Sequence, residues 1–408
     1  MHAPLPPAFR QLSSANLLAQ LAEQLSLAAV PIVAVLVLQA GPAEIGLLAS
    51  VQSLPFLLLA IPMGLLADRT ARRRLMLWSE LLRAAALALL VGMLLAGQVS
   101  LALLATTGFL AAVGTVAFSV AAPSLVPALV PGSALARANG RIELARSTAY
   151  AAGPALAGAL IGWTGATSAF VLSAMLSVVA CAFLARLHEP ARAPVPPRHP
   201  LLELKDGAAM VWQHPLLRPV MFTSVFWNLA WFMLQATYVP YAMKSLGLDA
   251  RGVGLTLGAY GVGMVAGALL APRIMATLRF GHAIVVGPVV SVLAAAVMVA
   301  TLALPHGVVA AVAFFLFGAG PMVWTITSIT LRQTVTPPRM IGRASSINMV
   351  GSLGVRPIGA ALGGWVGSQW SESVSLWWVL AGFAVQACII SLSPVRGLAR
   401  LPAQATEA

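Results

Sequence analysis

Charged side chains are scarce in this chain, so the few that fall inside long apolar runs are the ones equipped for chemistry. Glu23 lies about ten residues into the first run, on a stripe with Asn16, Gln20 and Gln24 at helical spacing. Lipid expels such a stripe, so it must face protein or a cavity. A carboxyl there can exchange a proton, glue helices as a hydrogen-bonding group, or touch a bound molecule. Glu80 with Arg83, and Glu143 with Arg146, are acid–base pairs three residues apart on one helix face, within about two turns of a run's end. Mutual neutralisation and closure of that end are expected of both pairs. Arg356 differs, because its run holds no acid and it sits near mid-depth. It needs an outside partner: Glu23, a backbone carbonyl or an anionic ligand.

The elements that position these groups follow from composition. With 408 residues, 60% hydrophobic and 9% charged, and a mean hydropathy of +0.91, the chain departs from soluble globules, which are about 25% charged. It reads as an all-α membrane protein. Runs of about 20 apolar residues match a hydrocarbon layer of about 30 Å. Twelve are predicted, at 13–38, 43–66, 75–97, 100–122, 138–162, 166–187, 217–243, 251–271, 283–304, 307–330, 343–367 and 373–393. Lipid leaves unpaired backbone groups without partners, and no alternating barrel pattern is present, so these are helices. Of the 24 Lys and Arg, 19 fall on one side if both termini are cytoplasmic, against Lys244 and Arg251 on the other. The net charge of +13 therefore reflects membrane orientation, and no nucleic-acid partner is expected. MHAPLPPAFR lacks the features of a cleaved signal, so the first run is expected to insert and stay. Cys181 and Cys388, without metal or disulfide spacing, read as small packing residues.

The chain repeats itself. Ala268-Leu269-Leu270-Ala271-Pro272-Arg273 echoes Gly64 to Arg69, with Pro272 in place of Asp68, and the stretch from Gly153-Pro154 echoes Arg356-Pro357 at nearly the same offset. A six-helix unit has been duplicated. The expected organisation is a first bundle at 1–187, a linker at 188–216, a second bundle at 217–393 and a tail at 394–408. HEPARAPVPPRHP reads as an extended tether. The rest of the linker reads as a surface helix, with Leu201, Leu204, Ala208 and Val211 on one side.

GLLADRTARRR resembles the signature between spans two and three of the major facilitator superfamily, at Gly64, Leu66, Ala67, Asp68, Arg69, Arg73 and Arg74, with Ala71 where Gly is usual. The fifth span resembles that superfamily's antiporter motif at Gly140, Gly153, Pro154 and Gly158, with Ala149 and Ala157 replacing two glycines. Residues 320–367, together with QLAEQL and WSELLRA, are similar to the drug and siderophore exporter branch that includes enterobactin and macrolide exporters. The resemblance implies two pseudo-symmetric six-helix bundles rocking about a central path lined by spans one, four, seven and ten. It implies a cytoplasmic gate at Gly64, Asp68, Arg69, Arg73 and Arg74, joined by Glu80, Arg83, Glu143 and Arg146, in which Asp68 faces the amino end of span eleven near Arg343. The blander role of the arginines is orientation. Small residues and the prolines, Pro154 and Pro357 among them, would pack and kink the moving helices.

On that architecture the proton-coupling candidates are Glu23 and Arg356. The candidate cavity wall comprises Gln20, Gln24, Thr107, Thr115, Asn228, Trp231, Gln235, Tyr238, Trp324, Thr325 and Ser328, with Ser224 on the same stripe. Apolar and aromatic groups with scattered hydrogen-bonding partners suit a hydrophobic or amphipathic small molecule. Trp370, Trp377 and Trp378 read as an interfacial belt. No glycine-rich nucleotide loop, zinc spacing or Ser-His-acid set is present, so no enzymatic activity, cofactor or metal is expected. The expected partners are a small-molecule substrate, protons and the bilayer, for a monomer. Two Lys beside 22 Arg hint at a GC-rich bacterium, hence its inner membrane. A siderophore or lipid carrier, or a receptor that kept the fold without transport, are the alternatives.

Overall fold

A computed structural model describes residues 6–131, 134–190, 200–337 and 341–402, without the side chains of 65, 68, 135–137, 200–204, 206, 341–343, 345 and 346. The described residues are helical and contain no strand. The helices are α1 (Pro7–Leu38), α2 (Pro42–Arg69), α3 (Arg72–Leu95), α4 (Leu101–Leu129), α5 (Leu135–Thr164), α6 (Ala166–Arg186), α7 (Pro200–Gln213), α8 (Leu217–Lys244), α9 (Ala250–Thr277), α10 (Phe280–Ala300), α11 (Gly307–Val335), α12 (Ile341–Gly354), α13 (Arg356–Gln369) and α14 (Glu372–Ser391), followed by one 3-10 turn.

Among the described residues, nine helices are long and apolar enough to cross a membrane. α5 and α8, at 30 and 28 residues, would each span over 40 Å but are more polar. The predicted run at 343–367 is not one helix: a turn at Val355 divides it into α12 and α13. Pro357 explains the division, because it has no N–H to give the Leu353 carbonyl and its ring crowds that oxygen.

Capping residues set several ends. The Ser100, Asp249 and Ser371 side chains accept from the first turns of α4, α9 and α14. Gly165, at φ 94°, joins α5 to α6 in a conformation that side chains disfavour.

Burial is distributed as a bilayer demands. Ser173, Ser177, Glu80, Arg83, Thr237 and Gln386 are inside, while Leu269, Trp78, Trp377 and Trp378 are exposed. Cys181 is buried, but Cys388 faces outward and so does not pack.

The pairing of helices carries the duplication. α1 packs on α5 and α6, α2 on α4, and α3 on α4 and α6. In the second half α8 packs on α13 and α14, α9 on α11, and α10 on α11 and α14. Each pairing has its counterpart, and the halves meet reciprocally, α5 on α9 and α13 on α2. α7 lies beside α12, with Val211 buried among Leu217, Val220 and Ile284. Ala208 is exposed, so the expected linker stripe is narrower than drawn; Leu201 and Leu204 lie outside the described side chains.

Candidate functional site

Among the described residues, the backbones of the two halves come close where glycines face each other. At Gly254 of α9, a Cβ would come within 2.9 Å of the Gly158 Cα in α5. At Gly46 of α2, it would come within 2.6 Å of the Gly364 Cα in α13. Following the chain through its short connections, both crossings lie at the end of the molecule remote from the termini. Arg251 adds a link there, donating from Nη2 to the Gly162 carbonyl at 3.2 Å and lying 5.2 Å over the Trp163 ring.

Below this closure the halves part around a cavity of about 510 Å³, walled by α1, α2, α3, α4 and α5 on one side and α8, α9, α11, α12 and α13 on the other. That volume lies within the 300–1,000 Å³ of small-molecule sites.

On the first wall, Glu23 is the carboxylate at the surface of the cavity, its side chain 18% exposed. Arg83 reaches it from α3, Nη2 to Oε2 3.9 Å. The same guanidinium donates from Nη1 to Glu80 Oε1 at 2.7 Å and to the Ala19 carbonyl at 3.1 Å, and from Nη2 to Thr115 Oγ1 at 2.7 Å. Arg83 thus ties α1, α3 and α4 together, with two carboxylates on one cation. A buried charge persists only when so compensated.

The second acid–base pair forms as well, Arg146 Nε donating to Glu143 Oε2 at 3.0 Å. The two arginines reach deeper than expected. Arg83 and Arg146 are each eleven residues into their helices, about 16 Å deep, and both line the central cavity instead of one end of the bundle.

On the opposite wall, Arg356 donates from Nε to Asn228 Oδ1 at 3.1 Å and lies 5.2 Å from the Phe56 ring and 5.0 Å from the Phe232 ring. Its protein partner is an amide and two aromatic faces, and not Glu23. Trp231 anchors an aromatic cluster, with Tyr260 at 4.8 Å, Phe317 and Trp227 at 5.4 Å, and Phe314 at 6.0 Å.

Of the expected wall residues, Gln24, Thr107, Thr115, Asn228, Trp231, Gln235, Trp324, Thr325 and Ser328 line the cavity, together with Ser224. Two do not. Gln20, one turn before Gln24, is not among the lining residues. Tyr238 is fully buried, donating to Thr256 and edge-on to Phe314, because it lies on the α8 face turned into its own half. Residues the sequence did not single out for the wall are Arg332, Gln52, Phe56, Tyr150, Tyr260, Asn348 and Ser352. Arg332 continues the Trp324–Ser328 stripe by one turn, a signal that was available.

The motif glycines separate by role. Gly153 seats α5 against Gln24 of α1, Pro154 lines the cavity and Gly158 makes the closure, while Gly140 and Gly64 face open space. In the charged break, Arg69 and Arg74 are exposed. Arg73 donates from Nε to the Leu184 carbonyl at 2.9 Å, and the N–H groups of Arg72 and Arg73 donate to the Glu189 carboxylate at 3.1 and 2.9 Å. The Asp68 and Arg343 side chains, and with them their expected contact, lie outside the described residues.

A sequence model described as Major Facilitator Superfamily matches residues 12–355. The chain belongs to that superfamily. An uncharacterized MFS-type transporter, y4rN, of Sinorhizobium fredii (strain NBRC 101917 / NGR234) is 28% identical over 286 residues, 68% of this chain and 69% of that protein. Among solved structures, a point mutant of the nucleoside transporter NupG is similar at TM-score 0.79 and 11% identity, covering 94% of this chain and 99% of its own. A bacterial homologue of the iron transporter ferroportin matches at 16% identity and TM-score 0.71 in its inward-facing state, over 94% of this chain and 97% of its own, and at 0.64 in its outward-facing state, over 94% and 98%. The protein is therefore a multi-pass membrane transporter of the major facilitator type, taking a small-molecule substrate, and not an enzyme.

Proposed function

We propose that this major facilitator protein exports hydrophobic or amphipathic small molecules, drug-like compounds or metabolites, from a bacterial cell in exchange for protons, by alternating access. The membrane is crossed twelve times, with α12 and α13 forming one broken crossing, and both termini are cytoplasmic. Halves 1–187 and 217–393 rock about the cavity, joined by 188–216, and the chain works in the inner membrane as a monomer.

The observation that carries this reading is a cavity walled by both halves and closed by glycine contacts at one end, with Glu23 on its surface beside an arginine shared with Glu80. On the positive-inside orientation, the closed end is external and the cavity faces the cytoplasm. The higher TM-score to the inward-facing than to the outward-facing ferroportin homologue supports that state. Glu23 carries the proton. When it is protonated, Arg83 keeps Glu80; when it is ionised, Arg83 serves both carboxylates. The membrane potential contributes about 2.3 kcal/mol per charge per 100 mV.

The test is substrate-dependent proton movement in vesicles containing the purified protein. Amphipathic compounds should release protons down an imposed gradient, and a receptor that merely kept the fold would move none.

A further inference from the structure

The cavity's charge is not balanced, and the imbalance names a substrate class. Its wall carries Arg83, Arg146, Arg332 and Arg356 against Glu23. Arg83 is matched by Glu80 and shares Glu23, and Arg146 is matched by Glu143. Arg332 and Arg356, both in the second half, have no carboxylate within 4.0 Å among the described residues.

The unpartnered polar atoms tell the same story. Arg332, Gln52 and Ser352 line the cavity, and Arg332 Nε, Gln52 Nε2 and the Ser352 hydroxyl are buried without a hydrogen-bond partner among the described residues. Two are pure donors, and the third donates as readily as it accepts. Ser352 is only 7% exposed and lies four residues before Arg356, across the break at Val355. Arg356 spends Nε on Asn228 and its faces on Phe56 and Phe232, which fixes the guanidinium and leaves its Nη fork without an acceptor among the described residues. A fixed guanidinium on the cavity wall is built for an oxyanion, which an arginine fork meets with two parallel hydrogen bonds. Beside it stands the Trp231 aromatic cluster.

We propose that the substrate is an organic monoanion, a carboxylate on an aromatic or otherwise apolar body, held by Arg356 with its body against Trp231, while Arg332 adds a second uncompensated positive charge to the same cavity nearer the end of α11. This rests on the transport reading of the same cavity and narrows it: the compound is amphipathic because it is an acid. Glu23 stands on the opposite wall beside Arg83, where its charge is already shared. An inside-negative potential drives such an anion outward, in keeping with export.

Three probes of one shape separate the possibilities: 2-naphthoate, the neutral 2-naphthamide and the cation 2-naphthylmethylammonium, titrated calorimetrically into the purified full-length protein. The carboxylate should bind about tenfold or more tighter than the amide, the scale of one charge-assisted contact. Arg356→Gln should remove most of that preference while leaving amide binding within about twofold, Arg356→Lys should restore part of it, and Arg332→Gln should reduce it by less than Arg356→Gln does. Equal or tighter binding of the amide or the cation, loss of all three probes alike in both variants, or binding of none would overturn the proposal.

Flux of the same probes into vesicles distinguishes the two claims. Selective carboxylate binding without movement across the membrane would sink the transport reading and keep the anion site. Movement of the amide or cation but not of the carboxylate would do the reverse.

Discussion

Glu23 and Arg83, sixty positions apart on α1 and α3, meet at 3.9 Å on the wall of the central cavity, while the other arm of the same guanidinium holds the fully buried Glu80 at 2.7 Å. One cation between two carboxylates is a balanced site only when one acid is protonated. Removing the cation strands both acids. Arg83→Gln should therefore lower thermal stability strongly, on the scale of 3–5 kcal/mol for breaking a buried pair, and Arg83→Gln combined with Glu80→Gln should recover part of it. Melting of the detergent-solubilised variants checks this, and a single variant as stable as the parent would contradict it.

The closure between the halves depends on Gly158 meeting Gly254 and Gly46 meeting Gly364. A methyl-bearing side chain there overpacks the contact, at about 1–3 kcal/mol, and only in the conformation that makes it. Gly254→Val should shift the population away from closure at this end by about 5- to 150-fold, leaving the fold intact. Spin labels on the α5–α6 and α8–α9 turns should then report longer distances. Unchanged distances would show that the crossing does not set the conformational balance.

Glu189 accepts from two N–H groups at the start of α3, where the helix dipole favours a negative charge. Glu189→Ala should cost about 1 kcal/mol of stability, the size of a lost cap, without altering substrate affinity. Thermal melting and ligand titration together check it.

His214, between α7 and α8, accepts at Nδ1 from the Leu216 and Leu217 N–H groups at 3.2 and 3.4 Å. Its partial burial lowers its pKa below the usual imidazole value. The fold thus prefers the neutral ring, while the unfolded chain protonates at about pH 6.5. Between the two values the unfolded state binds more protons, so stability is full above about pH 6.5 and falls as the pH drops toward the lowered value. The melting temperature of the parent should drop more from pH 7.5 to 5.5 than that of His214→Asn. Parallel profiles would remove the histidine from the account.

The apolar runs, the repeat and the polar stripe on α1 were legible because lipid penalises every exception to them, so each exception points inward. Pro357 was legible as a kink, though its effect, two helices in place of one run, depends on the Leu353 carbonyl it crowds. The sequence placed Glu80 with Arg83 correctly as neighbours three apart, but not the reach of Arg83 across to α1, which is set by how α3 packs. Arg332 was counted with the orienting cations because charge position alone does not say whether a helix end faces water or a cavity. Tyr238 shared a stripe with Asn228 and Trp231, but that stripe wraps from the cavity into the core of its own half. Glu189 hid in a proline-rich linker, and only the fold brings it to α3.

The most direct test of the central claim is proton-linked flux by Glu23→Gln in reconstituted vesicles. With a pH gradient imposed, the parent should accumulate substrate on the acidic side, and the variant should lose that accumulation while still binding substrate and still exchanging it in the absence of a gradient. Gradient-driven accumulation that survives the substitution undiminished would contradict the assignment of Glu23 as the proton carrier.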